Sequence, residues 1–262
     1  MSAVVVEDRD GARWIRFNRP EKRNALRLED VQAAWDAVTG APDTAISIVF
    51  TGSGGHFSAG ADVTGFKAAS PESALDVAAD SVGQRFLREV RACQKPTIAA
   101  VEGYCVGLAM DLSAVCDIRV ASTTARFSMP EAKIGLPVIG EASLFQQYIG
   151  LARAKEMLLT GRFYDAERLD RWGYLNQLTE PGAAEAAALE YVKEFAVLPP
   201  RTLAAQKRIF EAWLQLPHRE AARASVLEYA VTVAHPETRR WIEDYSARSS
   251  ARRSARTDKG DG

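Results

Sequence analysis

The chain has 262 residues, a formal net charge of −1 at pH 7, and a composition that is 47% hydrophobic and 26% charged. This length allows one large core, or one core with a smaller appendage, in a soluble globular protein. The near-neutral charge creates no field that attracts nucleic acid or an acidic membrane, so an anionic ligand needs a local cationic cluster. We therefore expect neither a nucleic-acid partner nor a membrane partner.

The cysteines and the N-terminal residues bear on disulfides, metal binding and cellular location. Cys93, Cys105 and Cys116 are odd in number and lack metal-ligand spacing, which argues against disulfides and against a zinc site. Residues 1–11 place charged side chains directly after three valines, unlike a signal or transit peptide. No apolar run approaches the ~20 residues that a membrane helix needs. These features predict a cytoplasmic protein without a metal.

The first two-thirds of the chain alternates short β-rich runs with helical patterns, which predicts an α/β fold. Strands are predicted at residues 4–6, 14–17, 46–51, 97–101 and 118–121. Helices are predicted at residues 28–38, 73–93 and 108–115. From residue 142 onward strand signals almost vanish, and helical patterns broken by glycine and proline predict a helical layer.

The last third has more apolar surface than a peripheral helix needs, and a neighbouring subunit is one explanation. We divide the chain into a core at residues 1–195, a helical region at 196–245 and a disordered tail at 246–262. The tail is placed there because its apolar periodicity is lost. Its basic residues leave open a nucleic-acid arm, although such charge runs are usually just solvated.

Two turns of small residues follow strand-like segments: residues 57–62 (FSAGAD) and residues 103–111 (GYCVGLAMD). Small residues let bare backbone N–H groups approach a ligand closely, so two such turns can form an oxyanion hole. The plainer alternative is an ordinary loop and a tight strand-to-helix connection. Neither a serine nucleophile elbow nor a dinucleotide-binding fingerprint is present, which argues against those two enzyme classes.

Five further motifs occur along the chain, at residues 18–26 (NRPEKRNAL), 95–104 (KPTIAAVEGY), 116–119 (CDIR), 127–131 (FSMPE) and 159–161 (LTG). With these motifs the chain resembles the enoyl-CoA hydratase/isomerase, or crotonase, superfamily up to about residue 245. The resemblance implies a crotonase-like ββα spiral core with a C-terminal helical oligomerisation layer, assembled as a trimer or a dimer of trimers. It also implies an acyl-CoA thioester substrate, an enolate intermediate and no cofactor, because coenzyme A is part of the substrate.

The resemblance assigns the oxyanion hole to the backbone N–H groups of Ala61 and Leu108. Leu108 also opens a predicted helix, whose dipole adds partial positive charge at the same place. Asp111 lies three residues further on, near the same helix end, and Glu131 approaches from another segment. In the hydratases that the chain resembles, these two carboxylates divide the work, one handling water and the other the α-carbon proton.

Both carboxylates have plainer interpretations. Asp111 is then an acidic residue in the first turn of a helix, stabilised by the unpaired N–H groups there, and Glu131 is part of a Pro-Glu helix start. The chain also departs from the family pattern. The family's glycine run before the first carboxylate is reduced to Gly107, and the position of Asp111 is usually Glu in the family. Glu141, in a turn that also departs from the pattern, is either a third acid facing the site or a surface residue that opens a helix, and the surface interpretation is favoured.

Coenzyme A needs cations for its phosphates and small residues beside its pantetheine arm. Lys22 and Arg23 resemble the family's phosphate-proximal basic residues, although a solvated turn explains them almost as well. The remaining candidates for flanking the thiol arm or adenine are Ala25, Ala59, Asp62 and Gly107.

The sequence therefore predicts an enzyme that hydrates a 2-enoyl-CoA, with Glu131 exchanging the α-carbon proton and Asp111 positioning or activating water. Double-bond isomerisation is the second interpretation, because it needs only one carboxylate. Hydrolysis of a β-diketone or decarboxylation within the same fold stays open. A non-catalytic acyl-CoA binder is the alternative from another class, and the presence of Glu131 argues against it.

Overall fold

The computed structural model describes residues 2–64 and 81–257, with side-chain burial described as far as residue 248. The chain divides into two compact units, Met1–Ala196 and Val197–Gly262. The boundary falls one residue beyond the one placed from the sequence. The first part of the helix predicted at residues 73–93, up to residue 80, lies outside the described residues.

A six-stranded sheet forms the centre of the first unit, in the order β1-β2-β3-β4-β6-β9. Its strands are β1 (Val4–Arg9), β2 (Ala12–Phe17), β3 (Ser47–Gly52), β4 (Thr97–Val101), β6 (Ile118–Ser122) and β9 (Gln177–Thr179). Only the β1–β2 pair is antiparallel among these neighbours. A parallel strand is covered on both faces, which explains why every residue of β4 is buried and why four of its five residues are apolar.

A second sheet of three short strands has the order β5-β7-β8, formed by β5 (Tyr104–Val106), β7 (Arg126–Ser128) and β8 (Tyr164–Asp165). The sequence predicts none of these three strands, nor β9. Strands of two or three residues are too short to show a two-residue period, so only their pairing partners define them.

Helices cover both faces of the large sheet. They are α1 (Leu28–Thr39), α2 (Val82–Ala92), α3 (Leu108–Val115), α4 (Phe145–Ile149), α5 (Leu151–Thr160), α6 (Ala166–Arg171) and α7 (Ala184–Ala196). Alternate residues of β4 enter two separate apolar clusters: Ala99 and Val101 face the larger one, whereas Ile98 and Ala100 pack with α7. The α3 helix is buried from Ala109 to Val115, and its buried residues include the polar Asp111 and Ser113.

Among the described residues of the first unit there are also three short 3-10 helices, at Pro20–Lys22, Glu131–Ile134 and Gly140–Leu144. The second unit consists of α8 (Pro200–Gln215), α9 (His218–Ala234) and α10 (Pro236–Thr257). Arg208 on α8 and Glu228 on α9 form a bidentate ion pair with two N–O distances of 2.9 Å. None of the helices within the described ranges is long and apolar enough to cross a bilayer.

The α10 helix continues to Thr257, past residue 246, where the sequence predicts that a disordered tail begins. Alanine and arginine have high helix propensity, so a helix can continue where the apolar periodicity has ended. The loss of periodicity therefore marked the end of apolar patterning and not the end of the helix. Residues 258–262 lie outside the described residues.

Candidate active site

The two small-residue turns lie against each other. The N–H of Ser58 donates to the carbonyl of Tyr104 at 2.8 Å, and the N–H of Val106 donates to the carbonyl of Ser58 at 3.1 Å. Gly60 has a positive φ of 88°, and a side chain there would collide with the carbonyl of Val106. A Cβ built on Gly60 would also lie 3.4 Å from the backbone N of Leu108. A glycine is therefore required where the first turn approaches the second.

The two backbone donors assigned from the sequence lie on these turns. Leu108 is the first residue of α3, and Ala61 directly follows Gly60. Within the described part of the chain, neither N–H donates to a protein acceptor. A helix start has unpaired N–H groups and partial positive charge, so this end of α3 favours a ligand oxygen that becomes negative. The arrangement can stabilise an oxyanion.

Glu131 lies against the same turn. Gly107 has φ 55° and ψ −123°, and a Cβ built there would lie 2.8 Å from Oε1 of Glu131. The N–H of Gly107 donates to the carbonyl of Ser128 at 2.9 Å, which ties this turn to the end of β7. Glu131 does open a 3-10 helix, as its plainer interpretation holds, and that helix start directs its carboxylate to the N-terminal end of α3.

Asp111 is on the first turn of α3 and is only 5% exposed. Its Oδ1 is fully buried and has no hydrogen-bond partner among the described residues. If Asp111 served only to stabilise the helix start, an N–H group of that helix start would donate a hydrogen bond to its carboxylate. No such hydrogen bond is present among the described residues. Burial raises the pKa of Asp111 well above its usual range, and the carboxylates of Glu131 and Glu141 raise it further.

Glu131 is less buried than Asp111. Burial also raises the pKa of Glu131, and its Oε2 has no hydrogen-bond partner within the described residues. Two acids that repel each other in this way titrate as a pair. The two pKa values of the pair therefore describe both residues together and not one residue each. Burial raises the pKa of both acids, and Asp111 is the more deeply buried of the two.

Glu141 is not a surface residue, so the favoured surface interpretation is wrong. Its side chain is buried within Gly140–Leu144, and its Oε2 accepts a hydrogen bond from Nη1 of Arg91 at 2.6 Å. The local sequence contains no sign of this burial, because the partner on α2 is 50 positions away. A third acid therefore lies within electrostatic range of Asp111.

The candidates for binding coenzyme A occupy the rim of the same turns. Lys22 and Arg23 are exposed, and the Arg23 guanidinium lies 4.9 Å from the centre of the Tyr104 ring. Ala25 and Ala59 are partly exposed, and the N–H of Ala59 donates to the carbonyl of Arg23 at 2.8 Å. The basic turn thus lies directly beside the first small-residue turn.

Asp62 has a different environment from the one predicted for a ligand-facing residue. One of its oxygens accepts from Arg19 at 3.1 Å, and the other accepts from the backbone N–H of Thr64 at 3.1 Å. The hydrogen bonds from Thr64 and Arg19 hold the pKa of Asp62 below its usual range. The structure therefore shows Asp62 fixing the loop through bonds within the protein.

Asn24 is a residue that sequence reasoning missed. It is buried, has φ 58°, and its Nδ2 lies within hydrogen-bond distance of the carbonyls of Ser53, His56 and Phe57 at 2.9, 2.7 and 3.3 Å. Asn tolerates this left-handed conformation better than most residues, and its short amide can bond nearby backbone. Its place inside the 18–26 motif was the one sequence feature that could have indicated this role.

The chain is similar to known proteins in both sequence and structure. The model of the enoyl-CoA hydratase/isomerase family matches residues 7–248. Carnitinyl-CoA dehydratase from Citrobacter koseri is 34% identical over 200 residues, covering 75% of this chain and 76% of that protein. Crotonyl-CoA hydratase from Syntrophomonas wolfei subsp. wolfei is 32% identical over 182 residues, covering 68% of this chain and 69% of that protein.

The crystal structure of enoyl-CoA hydratase from Thermoplasma volcanium superposes with a TM-score of 0.84 at 26% identity, covering 94% of this chain and 98% of that one. The fold and the paired turns define a crotonase-type protein. The chain belongs to the enoyl-CoA hydratase/isomerase family and is an enzyme of that family. The α/β class predicted from the sequence and the family resemblance are both confirmed.

Proposed function

We propose that the protein hydrates a 2-enoyl-CoA thioester and, by microscopic reversibility, dehydrates the corresponding 3-hydroxyacyl-CoA. The observation that supports this most directly is the pair of carboxyl groups, Asp111 and Glu131, both buried enough to raise their pKa values and both at the N-terminal end of α3. Relatives named as a hydratase and a dehydratase support the same reaction class.

In the proposed reaction, the thioester oxygen accepts hydrogen bonds from the N–H groups of Ala61 and Leu108. For hydration, Asp111 takes a proton from water as the oxygen bonds to the β-carbon, and Glu131 gives its proton to the α-carbon. For dehydration, Glu131 takes the α-proton, and Asp111 protonates the hydroxyl that leaves as water. Both directions use a pair that holds one proton.

The reaction needs no separate cofactor, since coenzyme A is part of the substrate and no electrons are transferred. We place the coenzyme A phosphates near the exposed Lys22 and Arg23, because these cations border the turn that contains Ala61. Ala25, Ala59 and Gly107 flank the thiol arm in this proposal. We further propose that the protein associates with itself as a trimer or a dimer of trimers.

The test is a panel of 2-enoyl-CoA thioesters incubated in heavy-oxygen water, with the products read by mass. The rate for a short 2-enoyl-CoA is measured beside the rate of 3-enoyl to 2-enoyl conversion. We expect the wild type to incorporate heavy oxygen. Asp111→Asn and Glu131→Gln should each lower hydration at least ~100-fold while substrate binding persists, because each removes a positioned proton donor or acceptor.

The matched control is Glu167→Gln, which removes an exposed carboxylate from α6 and should leave turnover unchanged. Isomerisation that survives Asp111→Asn, with negligible wild-type hydration, would replace the hydratase proposal by an isomerase. Carbon–carbon cleavage or carbon dioxide release from the panel would point to the hydrolase or decarboxylase interpretation. Thioester binding without any turnover would leave a non-catalytic binder.

A further inference from the structure

Ala61 lies in a short extended segment that pairs with Leu26 as an isolated parallel bridge. The N–H of Leu26 donates to the carbonyl of Gly60 at 2.8 Å, and the N–H of Asp62 donates to the carbonyl of Leu26 at 2.8 Å. In a parallel bridge, a residue bonds to the peptide groups on either side of its partner, so the partner's own N–H points to the opposite side. Leu26 thus directs the N–H of Ala61 away from the turn at residues 18–26.

One guanidinium group joins the two segments of this bridge. Nη1 of Arg19 donates to the carbonyl of Ala25 at 2.8 Å and to Oδ2 of Asp62 at 3.1 Å. Ala25 directly precedes Leu26 in one segment, and Asp62 directly follows Ala61 in the other. The side chains of Arg19 and Asp62 are 17% and 15% exposed, so solvent screens the pair only in part. Arg19 therefore closes the bridge on the side where the chain leaves Ala61.

Arg19 is itself held by the turn that contains it. Its N–H donates to Oδ1 of Asn24 at 2.9 Å, and its carbonyl accepts from the N–H groups of Lys22 and Asn24, both at 2.9 Å. Nη1 also lies 3.5 Å from Oδ2 of Asp30, whose side chain is only 4% exposed. Because both the backbone and the guanidinium of Arg19 are fixed, its contact with Asp62 restrains the segment that contains Ala61.

We propose that Arg19 is a positioning residue, which acts through Asp62 to keep the backbone N–H of Ala61 directed at the thioester oxygen. The inference rests on the proposed function for the role of that N–H. Ion pairs near a protein surface contribute little net stability, so stability alone is a weak explanation for this one. A donor in an oxyanion hole matters far more, because its removal lowers kcat about 100-fold or more. Loss of its direction should therefore be visible in kcat.

The effect should be specific to the charge that develops on the oxygen. The N–H of Ala61 interacts more strongly with an enolate oxygen than with a thioester oxygen, whereas contacts with the rest of coenzyme A stay the same as the enolate forms. We expect Arg19→Met, which keeps an apolar stem but removes the donors, to lower kcat at least ~10-fold and to change KM less than ~3-fold. Arg19→Lys keeps a charged donor and should recover part of kcat.

A second assay needs no turnover. A short 3-oxoacyl-CoA loses a proton from the carbon between its two carbonyl groups, and the resulting enolate absorbs near-ultraviolet light. We expect the wild type to raise the enolate fraction of this ligand on binding. In Arg19→Met the bound ligand's enolate-to-keto ratio should be at least ~10-fold lower than in the wild type. The affinity for an S-alkyl thioether of coenzyme A, which has no carbonyl oxygen, should be unchanged.

A double variant separates one shared contact from two independent effects. Asp62→Ala removes the acceptor of Arg19 and should lower kcat and the enolate-to-keto ratio as Arg19→Met does. Arg19→Met/Asp62→Ala should fall no lower than Asp62→Ala, because the two residues act through one contact. The matched control is Arg27→Met, whose lost bonds go to Asp30 and Glu29 on α1. It should leave kcat per folded molecule and the enolate-to-keto ratio unchanged, with circular dichroism as the check of folding.

Wild-type kcat and a wild-type enolate-to-keto ratio in folded Arg19→Met would overturn the inference. Equal losses of affinity for the thioether and for the 3-oxoacyl-CoA would also overturn it, since Arg19 would then act in coenzyme A binding. Strictly additive losses in the double variant, or a wild type that does not raise the enolate fraction, would do the same. Enolate stabilisation without hydratase activity in the wild type would end the proposed function, while the second assay still decided the role of Arg19.

Discussion

Gly107 shows how one residue position controls the geometry of the site. Its φ of 55° with ψ of −123° is a combination that residues with a side chain rarely adopt. The space that a side chain would need is also taken by the carboxylate of Glu131. Because the next residue, Leu108, is the proposed donor, the same glycine lets the acid and the donor lie side by side.

We predict that Gly107→Ala lowers turnover at least ~100-fold, since a displacement of about 1 Å at a reacting group has an effect of that order. The added Cβ must either push Glu131 away or distort the turn that contains the Leu108 N–H. Steady-state kinetics with the short 2-enoyl-CoA measure the effect. Gly150→Ala is the control, because Gly150 has φ 79° and ψ 154° but no atom near the position of an added Cβ.

Gly150→Ala should lose stability through backbone strain yet keep most of its turnover per folded molecule. Equal losses of turnover in both variants would mean that strain, and not displacement of Glu131, explains the result for Gly107→Ala. Wild-type turnover in Gly107→Ala would remove the close approach of Glu131 from the mechanism.

Among the elements, the turn at residues 18–26 holds the loop that presents Ala61. Asn24 contacts three carbonyls of that loop, and Ser58 Oγ donates back to the carbonyl of Asn24 at 2.7 Å. The same hydroxyl accepts from the N–H of Gly60 at 3.0 Å. Two irregular segments are thereby locked together without regular secondary structure, which is how a loop can hold a donor rigidly.

We predict that Asn24→Gly lowers the free energy of unfolding by about 1–3 kcal/mol, because it removes the donor of three carbonyls that are buried or partly buried. Glycine keeps the positive φ of 58°, so the effect reports the lost hydrogen bonds and not backbone strain. Urea denaturation measures the stability, and kinetics should show a lower kcat from the loosened loop.

Asp10→Gly is the matched control, since Asp10 also has a positive φ, of 53°, but lies in an exposed turn. It should be neutral or slightly stabilising. An Asn24→Gly variant with unchanged stability and unchanged kcat would show that this turn does not hold the donor loop.

At the scale of the whole molecule, the second unit has large apolar side chains that a single chain leaves in contact with solvent. On α9, Val226, Leu227 and Tyr229 are 66%, 67% and 69% exposed. A monomeric protein rarely exposes several such residues on one helix, so this surface favours an interaction. The expectation of a helical oligomerisation layer gives that interaction a partner, which is another copy of the chain.

We predict that sedimentation at micromolar concentration gives a trimer or a dimer of trimers. Leu227→Glu should weaken the assembly because it places a charge on an apolar surface that the assembly would bury. Lys155→Glu changes an exposed charge on α5 and should leave the assembly intact. A wild-type monomer at that concentration would contradict the prediction.

The sequence by itself determined the features that depend on local order. The small-residue turns, the long helices and the strands of the large sheet other than β9 follow from short-range patterns, and Glu131 follows from its motif. The same local patterns indicated the family. The short strands β5, β7, β8 and β9 could not be predicted in this way, because their residues become strands only through partners brought together by the fold.

Only the tertiary structure decided the surroundings of the acids. It buried Asp111 without a hydrogen-bond partner in the described residues, and it paired Glu141 with Arg91 across 50 positions of sequence. It also bound one oxygen of Asp62 to Arg19, 43 positions away, and the other to the N–H of Thr64. Burial and charge pairing depend on distances between segments that lie far apart in the chain, and these distances set whether a carboxyl group holds a proton.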